Sequence, residues 1–305
     1  MANRQKRNKK PGKGVKIALR ILIALLLALA ALIGVAALNA TVVRIRRAEV
    51  VLPDLPPDFN GATVLYASDI DLCGLNDAKK SGALFNELQS LNPDMLILGG
   101  DYSSPSLLEV LNRAENGKGD IAETLRQRES FFHYIGAFDA PMGVYAVAAP
   151  EDPDWYDLRR AMEANGIRPL FNERTAIRKG GDTLWLTGIC VENLNLNNIA
   201  GQFSRGDCVI AVAYSPAALS GMMTSEAADG GRWADLTLCG HTHGGQIRLF
   251  GRSVLALDSR EQRLLHGWNT DAGLPVLVSQ GIGCEGVNLR LGSEPEVWLI
   301  TLRRP

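Results

Sequence analysis

Cysteine is scarce in this 305-residue chain. The five that occur (Cys73, Cys190, Cys208, Cys239 and Cys284) are scattered, and none forms a C-x-x-C pair. That excludes a disulfide framework, a zinc ribbon and a dithiol redox motif. The odd count leaves at least one thiol or an intermolecular pair, and most are read as small buried apolar residues. Histidine is scarcer still, with four residues. No internal repeat or low-complexity stretch appears after Val43. At 46% hydrophobic and 21% charged, the composition excludes a disordered or collagen-like chain.

Acidic residues are absent from positions 1–47, which hold eleven of the 32 Lys and Arg. The other 21 face all 33 Asp and Glu, so the rest of the chain is near −12 although the whole is −1. A domain this acidic lacks the electrostatic footprint of a nucleic-acid binder, and nucleic acid is not an expected partner.

The basic amino terminus leads into ILIALLLALAALIGVAAL, an uncharged run from Ile21 to Leu38. It is close to the roughly 20 residues of a bilayer-spanning helix and exceeds the 7–15 of a signal-peptide core. The expectation is a single-pass anchor in the cell membrane, with the basic amino terminus cytoplasmic and the remaining domain extracytoplasmic. Arg44, Arg46 and Arg47 weigh against that orientation. A cleaved signal peptide ending near Val35-Ala36-Ala37 is the alternative. Residues 1–47 are therefore read as tail and anchor, 48–305 as one domain, and Leu52–Pro57 as a Pro-rich spacer.

Beyond the spacer, short apolar runs recur, each closed by a polar or Gly turn: ATVLYAS, DMLILGG, GVYAVAA, TLWLTGI, CVIAVAY, DLTLCG, PVLVSQG and EVWLITL. Helical patterns at Lys79–Leu91, Leu107–Ala114 and Asp120–Ile135 separate some of them. Strands apolar on both faces predict a layered α/β protein.

Polar residues gather just past the carboxyl ends of these runs, where open α/β sheets place their sites. They include Ser68-Asp69-Ile70-Asp71, Gly100-Asp101-Tyr102, Glu151-Asp152, Tyr214-Ser215 and Gly240-His241-Thr242-His243-Gly244-Gly245-Gln246. Alone, an H-x-H is more often an ordinary polar turn. With carboxylates converging on the same edge, it points to a metal centre. Gly281-Ile282-Gly283-Cys284-Glu285-Gly286 fits G-x-G-x-x-G, but only 19 residues follow it. No βαβ unit fits there, so it is read as a site-lining turn. His133, His266, Trp155 and Trp268 carry no partner motif and are read as surface or packing residues.

From about residue 50 to 303 the chain resembles the calcineurin-like metallophosphoesterases, in particular their membrane-anchored bacterial subgroup. The resemblance rests on the G-H-T-H-G-G-Q motif, LILGGD, GVYAV, GIRPLFNE, LVSQGIG and EPEVWLITL. It implies a sandwich of two mixed β-sheets flanked by helices, holding two metals at strand-end loops and hydrolysing phosphoesters. Carried over by position, one metal falls to Asp69, Asp71, Asp101 and His243, with Asp71 standing where the family has His. The second keeps only Asp101 and His241. Pro150 stands at the family's Asn ligand, Glu151 at its leaving-group His, and Tyr214 at a further His ligand. Glu151 remains as a ligand or general acid.

The resemblance thus implies a membrane-tethered, metal-dependent phosphoesterase with an altered or single-metal site. The expected substrate is a phosphorylated small molecule or a lipid headgroup. The alternative is a catalytically inactive binding or regulatory module on the same fold. The expected cofactor is one divalent ion among Mn, Mg, Ca, Fe and Zn. Three carboxylates beside one imidazole form a hard donor set that favours Mg, Mn or Ca.

Overall fold

The computed structural model describes residues 12–73, 76–104, 121–190, 195–254, 257, 259, 261–270 and 273–305. The helix expected at Leu107–Ala114 and the basic residues Arg4–Lys10 lie outside the described residues.

Helix α1 (Lys13–Asn39) is long enough, at about 1.5 Å per residue, to cross a bilayer with some tilt. From Ile21 to Leu38 it is apolar on every side, and it is solvent-exposed as far as Val35, with Ala36 buried. A core helix would be buried, so this surface matches lipid in place of protein. Only Ala40–Val43 separates it from strand β1 (Arg44–Val51), which straddles the expected 47/48 boundary. The Leu52–Pro57 spacer is instead packed against the domain. Leu52 and Leu55 are buried, and the Leu52 N–H donates to the Arg303 carbonyl at 2.9 Å.

The remaining strands, in chain order, are β2 (Thr63–Ala67), β3 (Met95–Leu98), β4 (Val144–Ala146), β5 (Arg168–Pro169), β6 (Arg174–Lys179) and β7 (Asp182–Ile189). They are followed by β8 (Val209–Ala213), β9 (Leu236–Cys239), β10 (Arg248–Leu249), β11 (Arg252–Ser253), β12 (Gly267–Asn269), β13 (Val276–Val278) and β14 (Glu296–Arg303). One six-stranded sheet runs β1-β14-β2-β3-β4-β5 and the other β12-β13-β9-β8-β7-β6, while β10 and β11 form a separate hairpin. Both sheets are mixed: β2-β3-β4-β5 and β7-β8-β9-β13 are parallel, and β14, β6 and β12 bring antiparallel pairs.

Leu65, Leu96 and Ile300 of the first sheet share one core with Leu184, Ile210, Leu236 and Leu277 of the second. The burial signal explains the strands: β3, β8 and β9 are buried at every residue, as continuously apolar strands covered on both faces must be. Helices α2 (Ala78–Leu88) and α3 (Ile121–Ile135) pack on the first sheet, with Phe85 against Phe131 at 5.6 Å between ring centroids. Helix α4 (Trp155–Ala164) starts at Asp154, whose side chain accepts the Asp157 N–H. The short helices α5 (Asn197–Ala200) and α6 (Leu219–Thr224) cover the second sheet, where Ile199, Leu219 and Met222 join Val209, Ala211 and Val276 in a second core.

Candidate metal centre

The parallel strands of both sheets end at one edge, and the loops leaving β2, β3 and β9 meet there. The loop after β2 continues its neighbour's ladder without a strand: Asp69 N–H donates to Gly100 O at 3.1 Å and Asp71 N–H to Asp101 O at 3.0 Å. The His241 N–H donates to Asp69 Oδ1 at 2.6 Å, tying the second sheet's loop to the first. Gly240 lets these loops close, because a Cβ there would lie 2.8 Å from Asp69 Oδ2.

One ligand atom from each of Asp69, Asp101 and His243 lies within 4.8 Å of the other two, and all three residues are buried. Asp71 joins them through its Oδ2, 3.5 Å from His243 Nδ1. Neither Asp71 oxygen nor His243 Nδ1 has a hydrogen-bond partner among the described residues, although all three atoms are buried. A buried carboxylate without donors is costly, and a hard cation is the partner that oxygen-rich donor sets accept. The residues present therefore fit one divalent ion.

The backbone points the same way. Asp69, Asp71, Asp101, His241 and His243 all have φ between 47° and 73°, and they make up half of the ten described non-glycine residues with positive φ. Left-handed conformations clustered in one place are held by the surrounding structure and mark sites where side chains are aimed. Charge accumulates as well. Burial, and then neighbouring carboxylates, pushes the Asp71 and Asp101 carboxyls well above the usual range. Asp69 is raised mainly by burial. Burial, followed by the Arg290 and His241 charges, holds His243 well below the ordinary imidazole value, so it is a neutral donor.

His241 sits apart from that cluster. Its Nδ1 shares a short hydrogen bond with the Tyr214 hydroxyl, and its Nε2 lies 3.3 Å from Glu261 Oε1. Glu261 in turn accepts from Ser215 Oγ at 2.9 Å. Both imidazole nitrogens thus face groups of the chain itself. Tyr214 is buried, and burial together with Asp101 and the hydrogen-bonded Glu151 pushes its hydroxyl far above the ordinary phenol value, so it stays protonated. Glu151 is exposed at the rim.

Three further residues support the site, of which Arg290 and Glu261 carry no sequence signal and Asp152 stands in the strand-end segment Glu151-Asp152. Asp152 accepts N–H groups from Ala149, Asp101 and Tyr102 at 2.8, 3.2 and 2.9 Å, fixing the loop that carries Asp101. Burial raises its carboxyl to about 6. Arg290, fully buried, donates to the carbonyls of Gly283 and His243, each at 3.1 Å, and so joins two site loops. The Arg290 N–H donates in turn to the Ala36 carbonyl near the end of α1, at 2.9 Å. Glu261, the third, lies in a stretch without periodicity. The G-x-G-x-x-G segment lines the site, since a Cβ on Gly281 would lie 2.7 Å from Asp69 Oδ2. Cys190, Cys208, Cys239 and Cys284 are buried, and burial raises all four thiols, which makes them poor nucleophiles.

Two mixed sheets packed face to face, flanked by helices and opening their strand ends onto a buried Asp-Asp-His cluster, make up the calcineurin-like metallophosphoesterase fold. No protein-family model matches the chain. Relatives do: an uncharacterized metallophosphoesterase of Bacillus subtilis, YkoQ, is 24% identical over 268 residues, covering 85% of this chain and 90% of the relative. The Escherichia coli phosphodiesterase YaeI is 27% identical over 223 residues, covering 69% and 70%. A Bos taurus transmembrane protein with metallophosphoesterase domain is 25% identical over 305 residues, covering 94% of this chain and 63% of the relative. These likenesses support phosphoester hydrolysis and divalent-metal use as the chemistry of the domain. The apolar helix α1 and the transmembrane relative support membrane association.

Proposed function

We propose that the chain is a membrane-tethered phosphoesterase working at a single divalent cation held by Asp69, Asp71, Asp101 and His243. The observation that carries this reading is the Asp71 carboxylate, buried with both oxygens unpartnered beside the Asp69, Asp101 and His243 cluster. In this reading the chain up to Asn39 is cytoplasmic tail and anchor, and the extracytoplasmic domain begins with strand β1. The substrate is a phosphomonoester, a phosphodiester or a lipid-linked phosphate.

A divalent cation at such a site supplies Lewis acidity to a phosphoryl oxygen and offsets the charge of the carboxylates. The chain's residues do the rest. Asp152 holds Asp101 in place through the backbone and Arg290 fixes the His243 loop, while the nucleophile of the hydrolysis is a water from solvent. Tyr214 and His241 present a hydrogen-bonded pair at the mouth, backed by Glu261. Glu151, exposed at the rim and next in the chain to Asp152, is the group this reading assigns to proton transfer to a leaving oxygen.

One observation favours the silent-module reading. The engagement of both His241 nitrogens leaves no imidazole lone pair for a second ion, and the two-ion clamp of phosphoester hydrolysis needs one. The test is metal content of the full chain in detergent after Mn or Mg loading, beside hydrolysis of chromogenic phosphomonoesters and phosphodiesters. One ion per chain, lost together with activity in His243→Ala, is the expected result. Ion binding without hydrolysis establishes the silent module, and no ion at all overturns the site.

A further inference from the structure

The hairpin of β10 and β11 has an exposed apolar tip. Arg248 pairs with Ser253 and Leu249 with Arg252, leaving Phe250-Gly251 as a two-residue turn. Both turn residues have positive φ, 52° and 81°, the combination of a type I′ turn that normally carries Asn-Gly. A bulky residue is disfavoured there, yet this position holds a phenylalanine whose side chain is entirely exposed. Leu249 and Val254 beside it are exposed as well, and Arg252 flanks the turn. Neither core of the domain includes any of these apolar side chains.

The root of the hairpin adjoins the end of the anchor. Ile247 bridges Leu291, and the Arg248 N–H donates to the Leu291 carbonyl at 2.8 Å. The preceding residue, Arg290, bonds through its own N–H to Ala36 of α1. Aromatic residues also gather at this end of the first sheet. Trp298, paired with Arg46 near the start of β1, packs edge-on against the partly exposed Trp268, 6.1 Å away.

From this geometry we infer that the hairpin tip inserts into the interface of the bilayer that α1 spans. Phe250, Leu249 and Val254 enter the boundary between headgroups and acyl chains, and Arg252 lies against anionic headgroups. An exposed aromatic–aliphatic tip with a flanking arginine is the composition of interfacial membrane contacts. Continuity with the anchor supplies the occupant: the root of the hairpin is tied through Leu291 and Arg290 to Ala36 in the last turn of the membrane helix, so the exposed tip beside it faces lipid. The domain thereby gains a second point of attachment that fixes its tilt and sets the site loop, whose motif runs directly into β10, close to the membrane surface. A lipid headgroup phosphate is the substrate class this placement favours. The inference rests on the membrane-anchor reading.

The experiment uses the full chain in a Cys73→Ala background, reconstituted in phosphatidylcholine–phosphatidylglycerol vesicles that carry a spin label near the top of the acyl chain. An environment-sensitive fluorophore is attached at Phe250→Cys, at Leu27→Cys within α1, and at Gly181→Cys. Gly181 is open and exposed. Its turn lies at the far end of β1, because Asp182 accepts the Asp58 N–H at 2.8 Å. That is roughly 25 Å from the anchor at strand rise. The Phe250 probe is expected to shift blue and lose about half its emission to the spin label, while the Gly181 probe stays unquenched. A quenched Leu27 probe with an unquenched Phe250 probe overturns the inference and leaves the anchor intact. No quenching at either overturns the anchor reading itself. A blue shift at Phe250 without lipid quenching, growing with protein concentration, identifies a second copy as the occupant and also overturns the inference.

Discussion

Replacing Asp101 by Asn is expected to stabilise the metal-free protein and to abolish its response to metal. Ligand atoms of Asp69 and Asp101 lie within 4.8 Å of one another. Two ionised carboxylates at that separation repel by about 3.5 kcal/mol at an effective dielectric of 20. Burial and the neighbouring carboxylates raise the Asp101 carboxyl, and its protonation relieves this repulsion, so the measurement belongs on the alkaline side. In EDTA the variant is expected to gain about 2–3 kcal/mol, or roughly 4–12 °C in Tm for a domain of this size. The wild-type chain at 100-fold excess of Mn over Kd gains about 2.7 kcal/mol, and the variant gains none. The gap between the two in EDTA therefore closes at this Mn concentration. Thermal unfolding followed by tryptophan fluorescence in detergent reads both arms. A variant that is less stable in EDTA, as an ordinary buried polar substitution would be, refutes the repulsion argument. A variant that still responds to Mn refutes the ligand assignment.

Three further outcomes follow from the same geometry. Tyr214→His removes the hydroxyl partner of His241 and supplies a second imidazole, so metal content is expected to rise from one ion to two and phosphodiester hydrolysis to increase at least about tenfold. Arg290→Met strips the carbonyls of Gly283 and His243 of a buried donor. It is expected to cost about 3 kcal/mol in urea unfolding and to weaken Mn binding in equilibrium dialysis. Asp235, whose carboxyl burial raises to about 6, accepts the Val209 N–H at 2.8 Å. A carboxyl raised above its unfolded value near 3.8 adds stability below about pH 4, and that stability is lost as pH rises through 6. The metal-free chain is therefore expected to lose up to about 3 kcal/mol from this group between pH 4 and 7, and Asp235→Asn to flatten that slope in pH-dependent urea titrations.

The eight apolar runs all became strands because their signal is local: a buried parallel strand must be apolar on both faces, whatever surrounds it. Strand β1 escaped because it is an edge strand. In Arg44–Val51 only Val50 is fully buried, and the arginines pair with Glu294 and Glu296 across 250 residues of sequence. Helix α4 was overlooked because its ten residues bury only Leu158 and Met162. At the candidate site, the residues legible in advance were those whose place at strand ends follows from the pattern: Asp69, Asp71, Asp101, His241 and His243. Glu261 and Arg290 were not, since a polar residue in an aperiodic loop carries no mark of the pairing that the fold gives it. Tyr214 was recognised as a departure from the family pattern. That it would engage His241 depends on the approach of two loops, which no spacing encodes.

The bond from Arg290 to Ala36 has a bearing on how the protein matures. A peptidase cutting after Ala37 would carry the Ala36 carbonyl away with the leader and strand the Arg290 N–H, on the residue that braces the His243 loop. A released domain would thus differ from the tethered one at its centre as well as at its end. Through this bond the last turn of helix α1 is a piece of the scaffold around the site.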